Sequence, residues 1–390
     1  MRLALVTRRF WPLVGGEERI VAALADELRQ LEVEPIVFTA QWEPHWPLEI
    51  DHAGTLVHRL PQPQIRGWGT IRYIWSLSRW LKAHHRELDG VIVSGLKYDA
   101  YAAIGALART GVPVLLRAET AGPGGDCQWL REARFGSRIK RRCQQAARII
   151  AASDAVSGEL AASGFDSERI VRINNGVPLS PSRTIERRRE ARAILGDANP
   201  DLKVSEETPV ALYCGRLGPE KGLHDLVRAW QRIVGIWPEA RLFLVGEGPE
   251  RDDLYDRLRD HELKYHVAMP GAFDDVGELL DAADVFVQPA HEDGTSLALL
   301  EAMASGVPIV ASDIEVHQEL VGQRGRGLLV PIKNPLALAE AIAEVLTLRE
   351  EAAVRVERAR RFVEQQHSAI AMARRHLEIV QELIEPQSKK

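Results

Sequence analysis

Cysteine is scarce: Cys127, Cys143 and Cys214 are the only three in 390 residues, and their spacings match no disulfide or metal pattern. That excludes a disulfide-stapled secreted scaffold and suits a reducing cytoplasm. No apolar run reaches the roughly 18–20 residues that span a bilayer, and no signal peptide precedes the first strand-like run. Low-complexity tracts and internal repeats of about 20–50 residues are also missing. So is a Gly-x-Gly-x-x-Gly fingerprint: VGGEER at 14–19 has the wrong spacing and no later acidic partner for a ribose, which disfavours a nicotinamide dehydrogenase. There is no Asp-x-Asp between apolar strands and no histidine cluster, so no metal site is expected. An epimerase would need acid and base groups that cannot be assigned here.

Charge of one sign is not dominant either. Net charge is −5, with residues 1–178 at +4 (23 Lys+Arg against 19 Asp+Glu) and the remainder at −9 (27 against 36). The basic half would suit an anionic partner or a membrane surface, or is an ordinary solvated face; nothing indicates nucleic acid. What the chain does have is 45% hydrophobic and 27% charged residues, the composition of a soluble globular protein, at a length that implies two domains.

Its periodicity is α/β. LALVT (Leu3–Thr7) reads as a buried parallel strand, the stretch after Gly15-Gly16 as a helix with Ile20, Leu24 and Leu28 on one face, and Pro35–Ala40 as a strand. Strand-like runs recur at Gly90–Ser94, Val112–Leu116 and Arg148–Ala152, with helices at Ala100–Arg109 and Phe135–Ala147 between them. Residues 181–208 are charged and strandless and read as a connector with a short helix. A second alternating series begins at Val210–Gly215 and continues through Ala240–Gly246, Val267–Pro270, DVFVQPA and Val307–Ala311. The expected fold is therefore two Rossmann-like parallel-sheet domains facing a cleft, 1–180 and 209–365. A C-terminal helix, 366–390, carries Ile370, Ala373, Leu377, Val380 and Ile384 as its docking positions.

Ligands in open α/β sheets sit beyond the carboxyl ends of strands, and the motifs fall there. In YCGRLGPEKG, Gly215 lets the backbone turn, and Arg216 and Lys221 then stand in the loop before a helix. Two cations beside a helix start suit a diphosphate; a solvated basic loop is the alternative. In HEDGTSLALLEAMASGVPIVAS, Asp293 and Glu301 stand eight residues apart around Gly294-Thr295-Ser296, which can open a helix with free N–H groups. One carboxylate could hold a ribose and the other a sugar. A dipole-favoured carboxylate for Asp293 and a surface position for Glu301 are the plainer readings.

These motifs in this order resemble the retaining glycosyltransferases of family 4, which have the GT-B fold. GRLGPEKG and EDGTSLALLEAMASGVPIVAS carry most of the resemblance, and LALVTRRFWPLVGGEERIVAALADEL, IVAASDAVSGELAASGF, IVRINNGV and LFLVGEGPERDDL extend it over nearly the whole chain. It implies that Arg216 and Lys221 neutralise a departing diphosphate, that Gly15 and Gly16 let a backbone N–H approach it, and that Thr295, Ser296 and Leu297 cap it. Glu301 matches the ribose carboxylate, and Gly271, Ala272 and Phe273 the backbone beside the base. Asp293 stands where the family has a Glu that contacts the transferred sugar, one methylene shorter. A cleft histidine of many members has no counterpart; Glu119 is nearest by loop position, either acting on the donor or pairing with Arg117 or Arg131. The glycine-rich AGPGGD run after it reads as a flap or as a simple turn.

The resemblance further implies retention of anomeric configuration, no cofactor, no required metal, and a returning C-terminal helix. The substrates it implies are a nucleotide-sugar donor and a glycan or lipid-linked acceptor. RGWGTIRYIWSLSRWLKAHH (Arg66–His85) interleaves Trp68, Tyr73, Trp75 and Trp80 with basic residues, either to pack or to lie peripherally at the inner face of a membrane. Arg8 and Arg9 either line an acceptor site or stay on the surface. A catalytically silent nucleotide-sugar-binding subunit of the same fold is the alternative function.

Overall fold

The computed structural model describes residues 1–385 apart from Val14, Arg66, Pro123, Gln323 and Arg324. The end of the expected returning helix, 386–390, the head of the aromatic-basic stretch, Arg66, and one position of the AGPGGD loop, Pro123, thus lie outside the described residues. The chain forms two compact units, Met1–Gly176 with His367–Lys390, and Val177–Gln366.

The first unit holds an eight-stranded sheet in the order β3-β4-β2-β1-β5-β6-β7-β8. Its strands are β1 (Arg2–Val6), β2 (Glu34–Gln41), β3 (Glu49–His52), β4 (Thr55–Pro61), β5 (Gly90–Ser94), β6 (Val114–Ala118), β7 (Arg148–Ala151) and β8 (Ile170–Arg172). Only β3 runs antiparallel, joined to β4 through Ala53 and Gly54, both at positive φ. Such a two-residue turn matches the twist of the strands it joins. β3 and its turn are not legible in the sequence, because Glu-Ile-Asp-His has no apolar face and Ala-Gly is a poor turn signal.

The helix Gly16–Gln30 buries Ile20, Val21, Leu24 and Leu28, as its spacing predicts. Against it packs the helix Ala369–Ile384. Its buried stripe is Ala369, Met372, Ala373, His376, Ile379 and Val380, so of the five expected docking positions Ala373 and Val380 are buried and Ile384 is exposed. The helix Trp68–His84 divides the aromatic-basic stretch. Tyr73, Leu77 and Leu81 are fully buried and Trp80 packs on Phe38, whereas Trp68 and Trp75 are about half exposed, at 51% and 52%.

The second unit is a six-stranded, all-parallel sheet ordered β11-β10-β9-β12-β13-β14. The strands are β9 (Val210–Cys214), β10 (Arg241–Val245), β11 (Val267–Gly271), β12 (Val285–Gln288), β13 (Ile309–Ser312) and β14 (Leu328–Val330). Residues 181–208 are no free connector: the helix Ile185–Ala198 packs on the helix Gly277–Ala282. Buried Arg192 donates to Asp284 at 2.9 Å and to the Ala282 carbonyl at 3.0 Å. Arg188 also pairs with Asp284, at 2.9 Å. Arg192, three residues beyond the exposed-looking run Arg187–Arg189, is thus a core ion-pair partner.

Candidate functional site

In both sheets the strand order reverses beside the first strand, between β1 and β5 and between β9 and β12. At such a point the connections leave in opposite directions and open a crevice at the carboxyl edge. In the second unit, the loops after β9 and β12 are those carrying the two strongest motifs. They are laced together, since the Glu220 carbonyl accepts from the N–H groups of His291 and Glu292 at 2.8 and 3.2 Å. Gly222 is obligatory here: its φ is +67°, and a Cβ would stand 2.1 Å from the Pro289 carbonyl oxygen.

Arg216 is largely exposed, 3.5 Å from Glu220. Lys221 is mostly buried, and its Nζ donates to Asp293 Oδ1 at 2.8 Å. Asp293 Oδ1 also accepts from the Gly294 N–H at 2.9 Å, and Oδ2 from Gln288 Nε2 at 3.0 Å and Ser296 Oγ at 2.7 Å. His317 Nε2 lies 3.5 Å from the same oxygen. Burial would raise the carboxyl's pKa, but the groups facing it, His317, Lys221 and Ser296, outweigh that and hold it far below the usual carboxylate range. Asp293 therefore turns into its own unit, toward Lys221. Sequence reasoning missed His317 and Gln288, which carry no motif; only a histidine in an otherwise helical apolar pattern signalled the former.

Ser296 sits in the left-handed region, at φ 45°, as the N-cap of the helix Leu297–Ser305. Its hydroxyl is taken by Asp293, so no side chain caps this helix and its first-turn N–H groups stay available to an anion. Thr295 and Leu297 flank that start, and Glu301, half-buried, follows one turn on. Gly271 ends β11 with φ at +95°, followed by exposed Ala272 and half-buried Phe273.

One group of metal-ligand type does come together among the described residues, although the sequence showed no cluster. His224, Glu250 and Asp253 bring ligand atoms within 4.8 Å of one another. Asp253 is also paired with Arg257 at 2.8 Å, which lowers its carboxyl pKa, and His224 Nε2 bonds Glu250 and lies 3.4 Å from Asp253.

In the first unit, Gly15 is the extended N-cap of the helix Gly16–Gln30. Glu119 follows β6 and pairs with the buried Arg117; Arg131 turns instead to Glu159, at 3.7 Å. Arg117 also donates to Asn175 Oδ1, and to His376 Nε2 at 2.9 Å. One Glu119 oxygen is thus committed, while Oε2 is buried without a partner. Glu17, unnoticed in the sequence, is open to solvent along much of its length. Desolvation at its carboxyl end, and then the carboxylates of Glu119 and Asp126, push it up to about 8. Arg8 stacks on Tyr73, 4.1 Å from the ring centre, and lies 3.7 Å from the buried Asp99, while Arg9 pairs with Glu18 at 3.1 Å.

Comparison with known proteins follows the same division. The family described as "Glycosyltransferase Family 4" matches residues 14–181 and that described as "Glycosyl transferases group 1" matches 197–362. The lipopolysaccharide core biosynthesis glycosyltransferase LpsE of Rhizobium meliloti is 32% identical over 145 residues, 37% of this chain and 42% of LpsE. The chain thus spans less than half the length of LpsE, as it does of several other relatives it matches. A GDP-mannose-dependent alpha-mannosyltransferase of Mycobacterium tuberculosis is 28% identical over 374 residues, 92% of this chain and 91% of its own. Among solved structures, sucrose-phosphate synthase of Thermosynechococcus elongatus has a TM-score of 0.79 at 21% identity, covering 99% of both chains. Anabaena HepE in complex with UDP and glucose has 0.75 at 18%, covering 98% of this chain and 100% of its own. With these matches and these two sheets, the chain belongs to the family 4 glycosyltransferases and has the GT-B fold.

Proposed function

We propose that the chain is a retaining glycosyltransferase that moves a sugar from a nucleoside-diphosphate sugar to a glycan or lipid-linked acceptor, without a resident metal. The observation that carries this is Lys221, held by Asp293 just ahead of the uncapped start of the helix Leu297–Ser305 at the crevice between β9 and β12, with Arg216 exposed in the same loop as Lys221. Breaking the anomeric C–O bond leaves charge on the diphosphate. Cations and N–H groups already placed for that charge stabilise it without reorganisation, in the place a divalent ion would take. Glu301 on the same helix would hold the ribose, and the Gly271–Phe273 backbone would border the base.

Retention would follow from front-face attack, with the acceptor oxygen bonding to the anomeric carbon and its proton passing to the departing phosphate oxygen. The saturated bonding of Asp293 supports this, because such a carboxylate is a poor nucleophile. The first unit, with Glu17, Glu119, Arg8 and Arg9, is proposed to receive the acceptor. No described helix is long and apolar enough to cross a membrane. Trp68, Ile71 and Trp75, exposed along one side of their helix with Arg72 and Arg79 near the Trp75 ring, suit peripheral contact at the cytoplasmic face of a membrane.

A thermal-shift panel of UDP-, GDP- and ADP-sugars with and without EDTA tests the reading, since ligand bound to the native state raises the melting temperature. One donor should stabilise the protein equally in both conditions. Lys221→Ala and Glu301→Ala should each abolish that shift while the unliganded melt stays cooperative. A shift lost in EDTA would refute metal independence, and no shift with any donor would refute the donor site.

A further inference from the structure

The Asp293 carboxylate has no bonding capacity left. A carboxylate offers about four lone-pair directions. Lys221 and Gly294 take those of Oδ1; Gln288 and Ser296 take those of Oδ2. A sugar hydroxyl donating to Asp293 would have to displace one of them. Ser296 and Gln288 are each 3% exposed, and neither has water to turn to.

The set converges from three elements. Gln288 is the last residue of β12, and Ser296 caps the following helix. His317 comes from the helix Glu315–Val321 and is fully buried. Its Nδ1 lies 2.9 Å from the Ser312 carbonyl, which can only accept, so this nitrogen carries the hydrogen; Nε2 stands 3.5 Å from Asp293 without a hydrogen bond to it. The length of the side chain decides the outcome. A glutamate here would carry its carboxylate one methylene further out, past Gln288 and Ser296.

We propose that Asp293 is the anchor of Lys221 and not a ligand of the transferred sugar, with Gln288 as the positioning residue that holds the anchor. The role given to Lys221 rests on the donor-site reading above. An ammonium has three N–H donors, and the anchor uses one. Two remain for phosphate oxygens, on a side chain whose rotamer freedom is already spent before ligand arrives.

The test compares a nucleoside diphosphate with its sugar ester, UDP with UDP-glucose and GDP with GDP-mannose, by titration calorimetry. A sugar ligand and a lysine anchor then give different patterns. Asp293→Asn should weaken both members of a pair alike, by at least about fivefold, as for loss of one charge-assisted contact. The loss should vanish on a Lys221→Met background. Gln288→Met, which removes the amide donor at similar volume, should show the same pattern at smaller size, and Asp293→Glu should not restore affinity. Weakening confined to the sugar ester would overturn the anchor. So would equal strengthening, which would make Asp293 a competitor for Lys221, and so would no change.

If the wild-type protein binds no nucleotide, the donor-site reading fails by itself. The anchor is then read by acylation of Lys221 with an amine-reactive ester, followed by peptide mass spectrometry. Lys221 should be protected in the wild type and severalfold more reactive in Asp293→Asn. Equal reactivity in the two proteins would sink the proposal.

Discussion

Acid should loosen the first unit through one histidine. His376 is completely buried; its Nδ1 bonds the Met372 carbonyl at 2.8 Å, and its Nε2 accepts from Arg117 at 2.9 Å. The ring is neutral by construction, since a second proton would meet a guanidinium head-on. Burial first, and then Arg117, depress it to about 3. An unfolded histidine titrates near 6.5. Between those values the unfolded chain binds a proton that the native one refuses, so stability is full above about pH 6.5 and falls as pH drops toward 3. At pH 5 the linkage amounts to about 2 kcal/mol relative to pH 7.5. That is a sizeable share of the roughly 5–15 kcal/mol that holds a domain together.

The perturbation to make is His376→Gln, which can still accept from Arg117 but does not titrate in this range. Hydrogen exchange in the helix Ala369–Ile384 reports this unit without requiring the whole chain to unfold as one. Between pH 7.5 and 5, the free energy of opening should fall about 2 kcal/mol less in the variant than in the wild type. The variant should start lower, because the ring's packing is lost. Equal pH dependence in both proteins would show that His376 is protonated in the native state and would refute the argument.

Other outcomes follow from particular contacts. Gly222→Ala forces a left-handed alanine, at about 1–2 kcal/mol, and sets its Cβ against the Pro289 carbonyl; nucleotide affinity measured by calorimetry should drop tenfold or more, with the fold retained. Arg192→Ala should destabilise the second unit by about 2 kcal/mol in urea unfolding, because half-buried Asp284 keeps only Arg188 and a backbone N–H and the space of buried Arg192 is emptied. An unchanged midpoint would return 181–208 to the status of a free linker. Trp75→Ala together with Trp68→Ala should reduce co-sedimentation with vesicles of anionic lipid severalfold and leave the melting temperature unchanged. Equal co-sedimentation would remove the membrane contact.

Much of this was readable in the residues. Continuous apolar runs announced parallel strands, and alternation with amphipathic helices announced two sheets. The loops after Cys214 and Ala290 were recognisable because a diphosphate requires cations, glycine and a helix start in succession. What escaped was whatever depends on partners distant in sequence. Arg192 looks like any arginine in ERRREARA until Asp284 arrives beside it. His317 and Gln288 acquire meaning only from the carboxylate they face. For Asp293 the sequence shows the charge but not its direction, toward Lys221, Gln288 and Ser296. The register of the last helix was misjudged because a histidine, counted as polar, belongs to the buried stripe.

The discontinuity of the first unit bears on how the protein is made. Its first 176 residues emerge from the ribosome long before residues 367–385, which complete the same body. Until then the Arg117 guanidinium lacks His376, and the apolar face of the helix Gly16–Gln30 lacks its cover. The second unit is continuous from 177 to 366 and can fold as a unit as soon as it is released. The part synthesised first is therefore the part finished last. During that interval it depends on whatever shields nascent chains, and a nonsense codon after residue 366 would leave the second unit whole and the first permanently open.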